Sequence, residues 1–192
     1  MASVREGTAG VLVVVDVQVG VMRQAWDAAR VIGHVARAVE RARENSVPVI
    51  WVQHTNDELL RDSAAWQWVP ELLPAASETL LHKRFNSSFE ETALEAELAA
   101  RSASHIVLAG ASSNWCIRAT AYAALERGYD LSLVADAHTT DDMALENGDR
   151  VQAQSVVNDL NAAMNWLRYP GRSNHATAVE LLDFKRLARA RA

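Results

Sequence analysis

Cysteine is nearly absent: Cys116 is the single one among 192 residues. An internal disulfide is therefore excluded, and this residue is either a small buried apolar filler or a reactive thiol. Long apolar runs are missing too, since the longest, at 10–15, is far too short to span a bilayer. The opening Met-Ala-Ser-Val-Arg-Glu has no signal-peptide core, so the expected location is cytoplasmic. Positive charge is scarce and dispersed. Nineteen Lys and Arg face twenty-four Asp and Glu, a formal charge of -5, and the basic residues of the tail, Lys185, Arg186, Arg189 and Arg191, form no dense cluster. Neither nucleic acid nor a membrane is an expected partner. No linker, repeat or composition break divides the chain, which reads as one domain, 1–192, with a core at about 10–168 and a tail at 169–192.

What the sequence does hold is 49% hydrophobic and 22% charged residues, a globular balance that argues against a disordered tail, a fibre or a low-complexity array. Short runs rich in Val, Leu and Ile recur at 11–15, 47–52, 79–82, 105–109 and 131–135, with helical patterns between them. That alternation predicts a three-layer, Rossmann-like α/β fold with a mostly parallel sheet of about six strands. Consecutive apolar residues in the runs fit strands covered on both faces. The sixth strand is expected near 165–169.

Ala28, Val31, Ile32, Val35, Val39 and Ala42 share one helical face, with Asp27 placed as a cap. Ser87 and Glu90 have capping-box spacing ahead of Leu94 and Leu98. A third helix runs from about Asn114 and stops at Gly128, suited to a left-handed C-terminal cap. A fourth is expected over 149–161, and a short one around 178–189. The connection 55–77 is unusually long and carries Trp66, Trp68, Pro70 and Pro74. It is either a loop packed down by its tryptophans, or a pocket wall or subunit contact.

In an open parallel sheet, ligands bind beyond the carboxyl ends of the strands. The polar residues at those ends are Asp16 and Gln18, His54, Lys83, the turn 110–115 leading to Cys116, and Asp136 with His138. A carboxylate, an ammonium and a thiol form a chemical set among them. Cys116 falls in the first turn of a helix, where backbone N–H groups, the positive helix end and a neighbouring Lys83 are expected to lower the thiol pKa. Asp16 could accept its proton and return it to a leaving group. Taken singly, Asp16 also reads as a helix cap and Lys83 with Arg84 as a solvated pair; the combination is what points to chemistry.

VVVDVQ at 13–18, the lysine within LLHKRFNSSF at 80–89, and GASSNWCIRATAYAALERGYDLSLVADAHTT at 110–140 together resemble the isochorismatase-like cysteine hydrolases, a family of nicotinamidases, carbamoylsarcosine amidases and related amidohydrolases. The resemblance implies a triad in which Cys116 attacks a carbonyl, Asp16 serves as base and then acid, and Lys83 supports both charges. It also implies an oxyanion hole at the backbone N–H groups of Ser112 and Cys116, and a cis peptide between Ala111 and Ser112. The implied activity is hydrolysis of an amide, lactam or carbamoyl C–N bond of a small molecule through a thioester.

Family nicotinamidases hold a metal with Asp-x-His and further histidines after the second strand, whereas Gln53-His54-Thr55-Asn56-Asp57 lacks that spacing. Neither a metal nor another cofactor is therefore expected, and His54 is left as a pocket hydrogen-bonder or a structural residue. True isochorismatases as a rule lack the cysteine, so Cys116 favours carbonyl chemistry over vinyl-ether cleavage by Asp16 alone. A binding module without turnover is the reading from another class. A thiol-redox role lacks a resolving cysteine. The tail, with Asn161-Ala162-Ala163-Met164-Asn165-Trp166 and Pro170-Gly171-Arg172, loosely resembles the ending of a subgroup that includes streptothricin hydrolases. Gln18, Phe85, Trp115 and Tyr122 complete the expected pocket, although Trp115 could instead pack on the following helix, and Phe85 and Tyr122, like Phe89, also suit the core. His34, His105 and His175 read as structural. The expected assembly is a homodimer or homotetramer.

Overall fold

In a computed structural model, which describes residues 2 and 4–188, six parallel strands form one sheet. They are β1 (Ala9–Val15), β2 (Val49–His54), β3 (Thr79–Lys83), β4 (Ala103–Ala111), β5 (Asp130–Thr139) and, after a small antiparallel pair β6 (Met143–Ala144) and β7 (Arg150–Val151), β8 (Asn174–Thr177). The strand order is β3-β2-β1-β4-β5-β8. Helices α1 (Val19–Met22), α2 (Ala28–Glu44), α3 (Leu94–Ala100), α4 (Arg118–Glu126), α5 (Ala153–Trp166) and α6 (Phe184–Ala188) fill the connections.

The apolar run of β1 explains the layering. Val11, Val13 and Val15 point into one core with Leu94 and Leu98 of α3, Ala121 of α4 and Leu160 of α5. Leu12 and Val14 point the other way, onto Val31, Val35 and Val39 of α2 and Phe184 of α6. A strand buried on both faces has no polar alternation to show. Each such side chain removed from water stabilises the fold by roughly 1.5–3 kcal/mol. No helix among the described residues is long and apolar enough to cross a membrane.

Strand order reverses between β1 and β4, so the crevice of the sheet opens where Asp16 and the turn after Ala111 emerge. Gly128, at φ 89°, ends α4 in the left-handed conformation. Its N–H bonds Leu125 O at 3.0 Å and that of Tyr129 bonds Ala124 O at 3.0 Å, the paired closure of a Schellman cap.

Several local expectations are corrected. The sixth strand is β8, not 165–169, because α5 continues through Trp166 and Asn165 turns its Oδ1 to the backbone N–H of Ala176 at 2.9 Å. The fourth helix begins at Ala153 rather than Asp149: Asp142 Oδ1 accepts its first N–H at 2.8 Å, and 150–151 is spent in β7. Asp27 takes the N-cap position of α2, its carbonyl accepting from Val31 N at 3.1 Å, but its carboxylate makes no cap bond and pairs with the Arg30 guanidinium instead. The capping box at Ser87 does not form, since Ser88 is tied to Thr120 Oγ1 at 3.0 Å and α3 starts only at Leu94. The tail forms a single 3-10 turn (Val179–Leu181) and α6, while Arg189 and Arg191 lie outside the described residues.

Candidate active site

Asp16 leaves β1 at φ 53°, a left-handed conformation uncommon for any residue but glycine, with its N–H on Val52 O at 2.8 Å. Beside it, Gly110 of β4 sits at φ 125°, and a Cβ there would meet Val15 O at 2.0 Å. Only glycine lets the two central strands approach this closely under the site. The next peptide, Ala111–Ser112, is cis. The chain then winds into a π-helical turn (Ser113–Ile117) that carries Cys116 ahead of α4. Cys116 therefore lies in a wide turn of the kind that recurs at functional sites, rather than in the first turn of an α-helix.

Lys83 closes β3 in register with His54, which closes β2. The Lys83 side chain is buried, with Nζ 2.6 Å from Asp16 Oδ2, 3.1 Å from Cys116 Sγ and 3.1 Å from His54 Nδ1. An ammonium has three N–H donors and no acceptor, so these three partners use all of them. His54 Nδ1 must then be the bare nitrogen, which puts the imidazole proton on Nε2. Burial first, and the Lys83 charge second, hold the His54 pKa below its usual value, against the pull of Asp16. Burial also works to lower the Lys83 pKa, but Asp16 and Cys116 outweigh it and the net shift is upward.

The thiol behaves opposite to expectation. Burial and the Asp16 carboxylate push Cys116 up to about 12, and Lys83, already shared with Asp16, does not offset them. At rest the sulfur is a thiol. Asn86, which the sequence did not single out, offers Oδ1 at 3.9 Å from Sγ. Asp16 Oδ1 is buried and has no hydrogen-bond partner.

Asp16, His54 and Cys116 are the one group of potential metal ligands among the described residues, with ligand atoms within 4.8 Å of one another. The Lys83 ammonium already bonds all three, so the cluster does not fit a metal: a second cation would have to displace it.

A cavity of about 650 Å³ opens over this cluster, with Asp16, His54, Ser112, Trp115 and Cys116 on its wall. Asn56, Glu58, Leu59 and Ala65 bring the 55–77 connection to the same wall. That connection is also packed down: Trp66 Nε1 donates to Thr55 Oγ1 at 3.0 Å, and Trp68 meets Trp51 edge-on at 5.2 Å. Gln18, expected in the pocket, is fully buried and off the cavity wall, its amide accepting from His54 N at 2.9 Å and donating to Trp66 O at 2.9 Å. Phe85 is on the surface, and Tyr122 packs against the core on the Cys116 side of the sheet. Neither is brought to the cavity wall.

Outside the cluster, His34 Nδ1 lies 3.0 Å from Asp136 O. His105 and His175 both bond Ser132 Oγ, at 2.8 and 3.0 Å, toward the amino ends of β4 and β5. His138 is wholly enclosed, with Nδ1 2.7 Å from Ser113 Oγ and Nε2 3.0 Å from Asn161 Oδ1.

The α/β fold brings a buried cysteine, a carboxylate and an ammonium together at the strand-order reversal. The isochorismatase domain matches residues 10–159, and the chain belongs to that family. It is 31% identical over 138 residues to streptothricin hydrolase of Streptomyces noursei, covering 69% of this chain and 50% of that protein. The match thus spans only half the length of that relative. Maleamate amidohydrolase of Pseudomonas putida is 33% identical over 97 residues, 45% of this chain and 46% of its own. A cysteine hydrolase from Pseudomonas syringae pv. phaseolicola superimposes with a TM-score of 0.82 at 20% identity, covering 95% and 94% of the two chains, and establishes the shared fold.

Proposed function

We propose that the protein is a metal-independent cysteine amidohydrolase that cleaves a C–N bond of a small amide, lactam or carbamoyl compound. The observation that carries this reading is Lys83 Nζ, within hydrogen-bond distance of both Asp16 and Cys116 on a cavity wall. Two relatives, named a hydrolase and an amidohydrolase, support it.

Asp16 takes the thiol proton as Sγ bonds the carbonyl carbon, and the C=O electron pair moves onto oxygen. Lys83 remains an ammonium throughout and stabilises whichever of its two partners is anionic. The backbone N–H groups of Ser112 and Cys116 receive the oxyanion; one such donor is worth about 3 kcal/mol of barrier. Collapse breaks the C–N bond, and the proton held by Asp16 goes to the leaving nitrogen. Water then attacks the thioester, giving a proton to Asp16. The S–C bond breaks, and Asp16 returns that proton to sulfur. His54 Nε2–H and Trp115 form part of the wall against which the substrate lies. Because the resting thiol is protonated, the nucleophile arises only by this internal transfer.

Incubation with a panel of primary amides and lactams is expected to give an acyl adduct on Cys116 by mass spectrometry. Cys116→Ala should lose at least about 10⁴-fold in turnover, as removal of a catalytic nucleophile does. Full turnover of those amides in that variant would remove the mechanism.

A further inference from the structure

We propose that the substrate carries a protonated amine and that Asp141 selects it. This rests on the cavity over Cys116 being the substrate site.

Asp141 is held beside the nucleophile turn. β5 ends at Thr139, in register with Ala111, and Thr140 Oγ1 then donates to Asn114 Oδ1 at 2.5 Å. The residue that follows each of these in the chain, Asp141 and Trp115, is on the cavity wall. Asp141 Oδ1 is buried without a hydrogen-bond partner, whereas its neighbour Asp142 uses its own Oδ1 to cap α5. A buried carboxylate oxygen left bare is costly and calls for an explanation.

No cation is close enough to Asp141 to counter its charge; Arg23, on the same cavity wall, is solvent-exposed. Burial first and Asp142 second raise the Asp141 pKa, and no cation opposes them. Of the other charged residues on the wall, Asp16 is spent on Lys83, while Arg23 and Glu58 are solvent-exposed. Asp141 as a residue is only half-buried, so a ligand ammonium in the cavity would meet the accessible side of its carboxylate, bringing N–H donors and positive charge together. Trp115, 54% exposed on the same wall, offers an aromatic face of the kind that attracts such a cation. A neutral donor would give Asp141 a hydrogen bond but no counter-charge, and an anionic group would be repelled. The reaction itself adds negative charge to the cavity, which a bound ammonium offsets.

The test compares 4-aminobutanamide with its neutral isostere pentanamide. The wild-type protein should hydrolyse the amine with kcat/KM about tenfold or more above the isostere. Asp141→Asn should erase that preference, bringing the ratio of the two kcat/KM values to within about twofold of one. The same preference should appear as a Kd ratio in calorimetry on Cys116→Ala, where no turnover is needed. Hydrolysis of both amides without preference, or an equal loss on both in Asp141→Asn, overturns this inference and leaves the hydrolytic reading standing. A binding preference with no turnover or adduct overturns the hydrolytic reading alone. Absence of both turnover and any binding preference overturns the selection by Asp141.

Discussion

Two polar clusters are buried on either side of the Cys116 turn, and they are built on opposite principles. The Lys83 cluster is ionic: one ammonium spends its three donors on Asp16, Cys116 and His54, and Asp16 Oδ1 remains bare. The His138 cluster is neutral and closed. Asn161 Nδ2 donates to Ala135 O at 2.9 Å, which leaves Asn161 Oδ1 to accept from His138 Nε2 and His138 Nδ1 to accept from Ser113. Each polar atom in that chain has its partner. A cluster that only holds the turn in place closes its hydrogen bonds, while one poised to move a proton keeps an acceptor open.

Breaking the ionic cluster should therefore have the largest effect on stability. Lys83→Met removes the cation and leaves the Asp16 carboxylate, 1% exposed, without compensation. Loss of one partner of a buried pair costs about 3–5 kcal/mol. Urea denaturation should show a loss of that size, and Asp16→Asn added to Lys83→Met should recover part of it. A single variant as stable as the wild type would mean that the pair is not desolvated as the structure has it.

Acid should strain the neutral cluster next. Burial, against the smaller opposing pulls of Asn161 and Asp136, lowers His138 from 6.5 to about 4. Above pH 6.5 the histidine is neutral in both folded and unfolded chains and contributes no pH dependence. Between 6.5 and about 4 the unfolded chain binds a proton that the folded one does not, so stability falls as pH falls, by up to about 3 kcal/mol. The difference in unfolding free energy between wild type and His138→Leu should narrow across that window as pH drops. A constant difference from pH 7 to 4 would show that His138 titrates in the fold as it does in the unfolded chain.

The sequence exposes the charged cluster better than the neutral one, for physical reasons. Strands buried on both faces, such as 11–15 and 105–109, announce themselves as apolar runs, and the residues that follow them must sit at the carboxyl edge of the sheet. Asp16 and Cys116 were legible on that ground, whereas Lys83 ends the edge strand β3, which is buried on one face only and shows just a short apolar pair. β8 was not, because Asn174–Thr177 is half-buried and polar and carries no run to read. The resting thiol was misjudged because burial and the position of Asp16 decide its pKa, and neither is a property of local sequence. Asp141 and Asp142 are adjacent identical residues; only packing makes one a cap and leaves the other bare.

The smallest expected effect is the most discriminating between the clusters. Ser113→Ala deletes one neutral donor and leaves His138 Nδ1 buried without a partner, which costs about 1–3 kcal/mol. His138→Leu in the same background removes the orphaned acceptor, so the two losses should not add: a double-mutant cycle should show a coupling of about 1 kcal/mol between the positions. Lys83 and Ser113 share no hydrogen bond, and their losses should add within about 0.5 kcal/mol. Coupling across that second pair as strong as within the first would mean that the turn transmits strain between the clusters, and that the ionic and neutral networks act as one unit around Cys116.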